Sequence, residues 1–291
     1  MSGFIDIVVN VFGPDEIANA QTGFDAAFMD QVRMPEAFRA GVGPDDYVRL
    51  MDEAGIDHSL LVAVRAGDPQ WRGSFEIPYE QVARWCDRHP TRFSGLAGAD
   101  PTRGMAQLRD LERAVELGFV GVHAYPHWFR LPPDAPRWYP IYAKCCELDL
   151  PFMLQVGQNL IYQKDVRLPS VARPILLDQV AIDFPELTLV GIHVGTPWAD
   201  EMIAMAWKHE RVYIGIDAYA PKHLPPTLIR YMDSYGSGKV LFGTDWPVIH
   251  PKRAVEEMSA HNLKPEAHRR VMRDNALAVF PKLGTRIGRA A

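Results

Sequence analysis

Short runs of consecutive apolar residues alternate along the chain with longer stretches whose apolar positions recur every three or four residues. The short runs cover 4–9, 58–64, 93–97, 119–123, 152–155, 188–193, 212–216 and 240–243. Apolar on neighbouring positions, they read as strands buried on both faces of a parallel sheet. The longer stretches, 44–54, 78–89, 104–117, 138–148, 172–184, 198–209, 225–235 and 253–261, with a last one at 265–280, read as helices. Gly55 and Gly118 follow their helices where a left-handed terminating residue is wanted. Asp100-Pro101 and Thr196-Pro197 place a capping-type residue before a proline that suits a first helical turn. Repeated strand–helix units of this kind predict a closed (β/α)8 TIM barrel, an α/β fold, in one domain spanning 1–291; a doubly wound open sheet needs no eightfold count. Two connections exceed an ordinary strand–helix loop. Residues 11–42 and the proline-rich 124–137 are expected to lie over the mouth of the barrel, where long ordered loops are usually functional.

Charge narrows the partners. Lys plus Arg total 31 and Asp plus Glu 36, a net charge of −5 with no basic run, which gives little to attract nucleic acid or an anionic membrane. No stretch approaches the roughly 20 apolar residues of a membrane span, and no basic segment followed by an apolar one opens the chain. A cytoplasmic protein is expected. The three cysteines, Cys86, Cys145 and Cys146, form neither an even disulfide framework nor a Cys-x-x-Cys spacing. The adjacent pair reads as small apolar residues on one helix.

In a barrel of this kind the active site is built at the C-terminal ends of the strands. The polar residues that end the predicted strands are Asn10, Arg65, His123, Gln155, His193, Asp217 and Asp245. Any one of them taken singly is more often a capping or turn residue; their convergence at one end of a barrel argues for a site. Two segments are more specific. In Leu189-Val190-Gly191-Ile192-His193-Val194-Gly195 a buried strand delivers one imidazole. In Val240-Leu241-Phe242-Gly243-Thr244-Asp245-Trp246-Pro247 a strand runs into a carboxylate and an indole. Tyr219, Trp246, Trp128 and Trp138 are candidates for an aromatic pocket.

These segments, in this order, resemble the amidohydrolase superfamily, in the amidohydrolase-related branch that contains aminocarboxymuconate-semialdehyde decarboxylase. The resemblance also takes in Phe4-Ile5-Asp6, Asp149-Leu150-Pro151-Phe152, Phe184-Pro185-Glu186-Leu187 and Asp274-Asn275-Ala276. It implies the barrel, and a divalent metal held by residues at the ends of strands one, five and eight, with a strand-six His as acid/base. Here the strand-one positions are Val8 and Asn10 and the strand-five position is Gln155; only His193 and Asp245 remain. Val8 has no lone pair, and neutral amide oxygens suit zinc badly. The expectation is therefore a site without metal or other cofactor, with a divalent metal such as zinc as the disfavoured alternative.

The residual site predicts a metal-independent hydrolase acting on a carboxylated or aromatic small molecule, such as a lactone or a β-dicarbonyl. Asp245 would be general base and His193 acid/base. Asn10, Arg65, His123 and Gln155 would bind substrate and stabilise an oxyanion, with Arg65 as a fork for a carboxylate, and Tyr219 and Trp246 would line the pocket. The alternatives are a lyase of the same fold, a decarboxylase or hydratase, and a non-catalytic binding protein. A homodimer formed through the long edge loops is also expected.

Overall fold

The computed structural model describes residues 3–19, 21–68 and 70–287. Eight parallel strands form the sheet: β1 Phe4–Asn10, β2 Ile56–Val62, β3 Phe93–Gly98, β4 Gly121–Ala124, β5 Phe152–Gln155, β6 Leu189–Ile192, β7 Val212–Gly215 and β8 Val240–Leu241. They pair in chain order, and the edge between β8 and β1 is closed by backbone bonds. The Ile7 N–H donates to the Phe242 carbonyl at 3.1 Å, Asp245 N–H to Val8 at 2.9 Å and Asn10 N–H to Trp246 at 2.9 Å. Closure makes the barrel and removes the open-sheet alternative. All four residues of β5 and all four of β6 are buried, as both-face coverage by helices requires.

Local chemistry explains the helices. Pro44–Ala54 begins with proline in its first turn and Asp45 and Asp46 at its positive end, and buries Tyr47, Met51 and Ala54. Gly55, at φ 72°, ends it in the left-handed conformation. The predicted helix at 265–280 runs as Pro265–Arg269, a π turn Arg270–Asp274 and Asn275–Val279. There Asn275 donates its amide to the carbonyls of Ser237 and Val240, both at 2.7 Å, and so fastens the start of β8. Cys145 is buried and Cys146 half-buried on the single helix Tyr139–Glu147.

Some local expectations need correction. Thr196-Pro197 does not cap a helix, because the helix starts at Ala199 with Trp198 at its N-cap. Asp100 caps a turn instead, accepting from the Thr102 N–H at 2.7 Å, ahead of a helix that starts at Met105. The helix expected over 172–184 opens as a 3-10 turn, Pro174–Leu176, and becomes α-helical at Leu177–Asp183.

Residues 11–42 fold into three short helices, Pro14–Ala18, Ala26–Gln31 and Glu36–Arg39, around a small apolar core of Phe12, Met29 and Met34. They meet a third long connection, 156–173, which has no periodicity of its own. Asp25 joins the two. Its Oδ1 caps the helix Ala26–Gln31 by accepting from Phe28 N–H, and its Oδ2 accepts from Lys164 N–H, both at 2.8 Å. Gly157, at φ 95°, opens that connection where a Cβ would meet the Thr196 carbonyl oxygen at 2.4 Å. Among the described residues, no helix is long and apolar enough to cross a membrane.

Candidate active site

The seam between β1 and β8 is built first. Asp6 is fully buried; its Oδ1 accepts from Thr244 N–H at 2.9 Å and Val8 N–H at 3.2 Å, and its Oδ2 accepts from the Thr244 hydroxyl at 2.6 Å. Thr244 Oγ1 in turn accepts from Trp246 N–H at 3.0 Å. These bonds hold the turn that carries Asp245. Burial pushes the Asp6 carboxyl up to about 7, against the opposing pull of the Thr244 and Val8 hydrogen bonds. The folded state therefore binds this proton more tightly than the unfolded chain does, and stability drawn from Asp6 falls as pH rises from about 4 to 7. In Asp6→Asn that fall is expected to disappear, so the variant gains on the parent across this window. The shift from 3.8 to about 7 bounds the gain at roughly 4 kcal/mol. Urea melts at pH 5 and pH 8 measure it; equal pH dependence in both proteins would refute it.

Three strand ends then converge. His193 (φ 66°), Ala218 next to Asp217 (φ 62°) and Asp245 (φ 53°) all have left-handed backbones, a conformation that costs non-glycine residues energy and concentrates at functional sites. His193 Nε2 lies 3.4 Å from Asp217 Oδ2 and 3.8 Å from Asp245 Oδ2. Asp217 Oδ1 accepts from the His193 backbone N–H at 2.8 Å, whereas its Oδ2 is buried with no partner among the described residues. Asp245 Oδ1 accepts from the Asn10 amide at 2.8 Å, and that amide also donates to the Trp246 carbonyl at 2.9 Å. The Tyr125 hydroxyl donates to Asn10 Oδ1 at 3.3 Å.

Burial dominates the electrostatics. It raises the Asp217 carboxyl, and it raises Asp245 further because the Asp217 charge adds to it. It also pushes the His193 imidazole down to about 3, leaving a neutral ring with a lone pair. Two buried carboxyls facing a neutral imidazole call for protons or a cation.

Above this group lies a cavity walled by Phe24, Phe75, Tyr125, Trp128 and Tyr162 and floored by Asn10, His193 and Asp245. A second lobe shares Tyr162, His193 and Asp245 and adds Phe28, Gln155, Gln158 and Tyr219.

The structure thus places Asn10, His193 and Asp245 together in the first lobe, and Gln155 and Tyr219 in the second. His123 is buried at the end of β4, edge-on to Tyr125 with ring centroids 4.4 Å apart, and neither ring nitrogen has a partner among the described residues. Burial, and then the nearby His193, pushes it down to about 3. Four expectations are corrected: His123 and Trp138 line neither lobe, Trp138 being buried against Phe129 and Phe152, and Arg65 and Trp246 also fall outside them. Arg65 does not serve the cavity: β2 ends at Val62, so Arg65 falls in a two-stranded ribbon with Phe75–Glu76. Its guanidinium is engaged by Gln107 at 2.7 Å and Asp110 at 2.9 Å and stacks over Tyr79. The Trp246 indole packs into the core against Phe38 and Tyr47 at 5.2 and 5.4 Å rather than lining the pocket. Sequence reasoning left out Tyr125, Tyr162 and Phe24, which lie on loops, and Phe28 on the short helix Ala26–Gln31, and named Asp217 only as a strand end.

The absence of a metal was inferred from the missing ligands of strands one and five, and that inference is overturned. His193, Asp217 and Asp245 each offer a ligand atom within 4.8 Å of the others. Two carboxylate oxygens and an imidazole nitrogen suit manganese, magnesium or zinc, and the unpartnered Asp217 Oδ2 is an acceptor awaiting a cation.

The chain is 26% identical to a gamma-resorcylate decarboxylase of Rhodococcus jostii over 292 residues, 81% of this chain and 87% of that protein. Over 133 residues, 38% of this chain and 37% of the other, it is 35% identical to a 2-keto-4-carboxy-3-hexenedioate hydratase of a Sphingobium species. The fold matches a dihydroxybenzoic acid decarboxylase from a Polaromonas species, solved with bound manganese and the inhibitor 2-nitroresorcinol. That match has a TM-score of 0.69 and 22% identity and covers 97% of each chain. The amidohydrolase family model matches residues 30–282, and the chain belongs to that family.

Proposed function

We propose that the protein is a lyase that removes CO₂ from a small aromatic carboxylate, with a divalent metal held by His193, Asp217 and Asp245. The observation that carries the reading is the aromatic-walled cavity set directly on a buried two-carboxylate, one-imidazole group. The relatives named above favour this lyase over the hydrolase expected from the sequence.

The walls of the first lobe are the flat faces and edges of aromatic rings, which suit stacking against a single substituted ring. Phe24, Trp128 and Tyr162 line its faces. The metal, when bound, supplies positive charge that offsets the paired carboxylates and stabilises negative charge developing on substrate oxygens. In decarboxylation the ring carbon keeps the electron pair of the broken C–C bond and takes a proton in place of CO₂. Asp245 is assigned that proton, carried on Oδ2, because Oδ1 is occupied by Asn10 and the carboxyl lines both lobes. With no cation bound, its proton affinity is raised by burial and then by the Asp217 charge. The neutral His193 has no such proton to give. Asp245 is thus the third donor when ionised and the acid when protonated.

The hydratase match over 133 residues supports a second reading, in which Asp245 activates water for addition to an unsaturated diacid. Manganese-loaded protein incubated in D₂O with 2,6-dihydroxybenzoate separates them. The expected result is CO₂ release with one deuterium at the vacated carbon. Hydration of an unsaturated dicarboxylate without CO₂ release would replace the first reading by the second, and ¹⁸O-water incorporation into a cleaved lactone with neither lyase activity would restore hydrolysis.

A further inference from the structure

Three residues line both lobes of the cavity: His193, Asp245 and Tyr162. The first two belong to the acid–imidazole group. Tyr162 is the neutral member, and its hydrogen bonds are incomplete. Its oxygen accepts from the Gln155 amide at 3.2 Å, and its hydroxyl hydrogen has no acceptor among the described residues. Tyr125 donates to Asn10, and both Asn10 amide hydrogens go to Asp245 and Trp246. Tyr162 is half-buried at the junction of the two lobes, so its hydroxyl hydrogen is available to a ligand that enters either one.

The Tyr162 ring is fixed from several sides. Phe28 packs on it at 4.7 Å and Trp128 at 5.9 Å between ring centroids. Its backbone carbonyl accepts from Asp25 N–H at 3.3 Å, and Asp25 Oδ2 holds Lys164 two residues on. The 11–42 insertion therefore sets the direction of a hydroxyl that lies more than a hundred residues away in sequence. A donor held this way costs little ordering when it meets a ligand.

We infer that Tyr162 is the specificity-determining donor of the site, giving its hydroxyl hydrogen to an anionic oxygen, carboxylate or phenolate, of the aromatic substrate. Gln155 acts through it as a positioning residue. The ligand class rests on the lyase reading, so binding and turnover are read separately.

Equilibrium binding of 2,6-dihydroxybenzoate and of benzoate is measured on manganese-loaded parent, Tyr162→Phe and Gln155→Leu, each first checked for an unchanged melting temperature. Tyr162→Phe is expected to weaken 2,6-dihydroxybenzoate roughly ten- to a hundredfold, the range for a lost hydrogen bond to a charged group. Gln155→Leu is expected to weaken it less. Parallel weakening of benzoate assigns the bond to the carboxylate, and unchanged benzoate binding assigns it to a ring oxygen. Unchanged affinity for both ligands in Tyr162→Phe, no binding of either by the parent, or a larger loss in Gln155→Leu would overturn the assignment. Binding that depends on Tyr162 without CO₂ release or hydration would sink the lyase reading and leave the assignment standing.

Discussion

Asp245→Asn is expected to lower kcat by roughly 10³-fold or more, the upper part of the range for losing a general acid, with the fold intact. The asparagine keeps an oxygen for the Asn10 amide, which now reaches Asp245 Oδ1 at 2.8 Å. It replaces Oδ2 with an NH₂ group that carries neither charge nor a transferable proton. The backbone favours this test, because position 245 sits at φ 53° and asparagine enters the left-handed region more readily than most residues. The replacement therefore adds no strain, and circular dichroism and the melting temperature should stay close to those of the parent. Asp245→Ala would instead leave the Asn10 amide with an unfilled hydrogen and mix a folding defect into the kinetics. Steady-state assays on manganese-loaded protein decide the matter. Retention of more than a tenth of the parent kcat would remove Asp245 from the chemistry.

The barrel was legible because each buried parallel strand announces itself as a short, mostly apolar run. Residues 152–155 read as a strand and form β5 with the same bounds, and 44–54 read as a helix and form one from Pro44 to Ala54. Strand ends were legible in proportion to that precision. Asn10, Gln155 and His193 follow directly from their strands. Arg65 failed because the apolar run at 58–64 continues two residues beyond the last sheet position, Val62, and turns off into the ribbon. Tyr162 and Phe24 were invisible for a different reason. They lie on irregular connections whose geometry is set by Asp25, whose bond to Lys164 spans 139 positions and leaves no periodic trace. The metal question turned on which positions were asked. Looking for donors where relatives keep theirs found Val8, Asn10 and Gln155 and predicted none, whereas Asp217, already visible as the end of strand seven, adds the donor that completes a group with His193 and Asp245.

That group gives the last prediction, on metal binding rather than turnover. Asp217→Asn is expected to weaken Mn²⁺ binding about 100-fold, which corresponds to ~2.7 kcal/mol. The amide oxygen can still accept the His193 backbone N–H, now bonded to Oδ1 at 2.8 Å, so the end of β6 stays in place. The amide nitrogen takes the position of Oδ2, 3.4 Å from His193 Nε2. There it points hydrogens at the imidazole lone pair and occupies the electrons a cation would use, while the site loses one negative charge. Thermal melts on chelator-stripped protein read this directly. At Mn²⁺ near 100 times the parent Kd, ligand linkage stabilises the parent by ~2.7 kcal/mol, but a variant with 100-fold weaker binding by only ~0.4 kcal/mol. For a chain of this length that is several degrees of melting temperature against about one. Electron paramagnetic resonance of free Mn²⁺ gives the affinities independently. Equal manganese shifts in parent and Asp217→Asn would take Asp217 out of the metal site and return the two strand-end carboxyls to a proton-sharing pair.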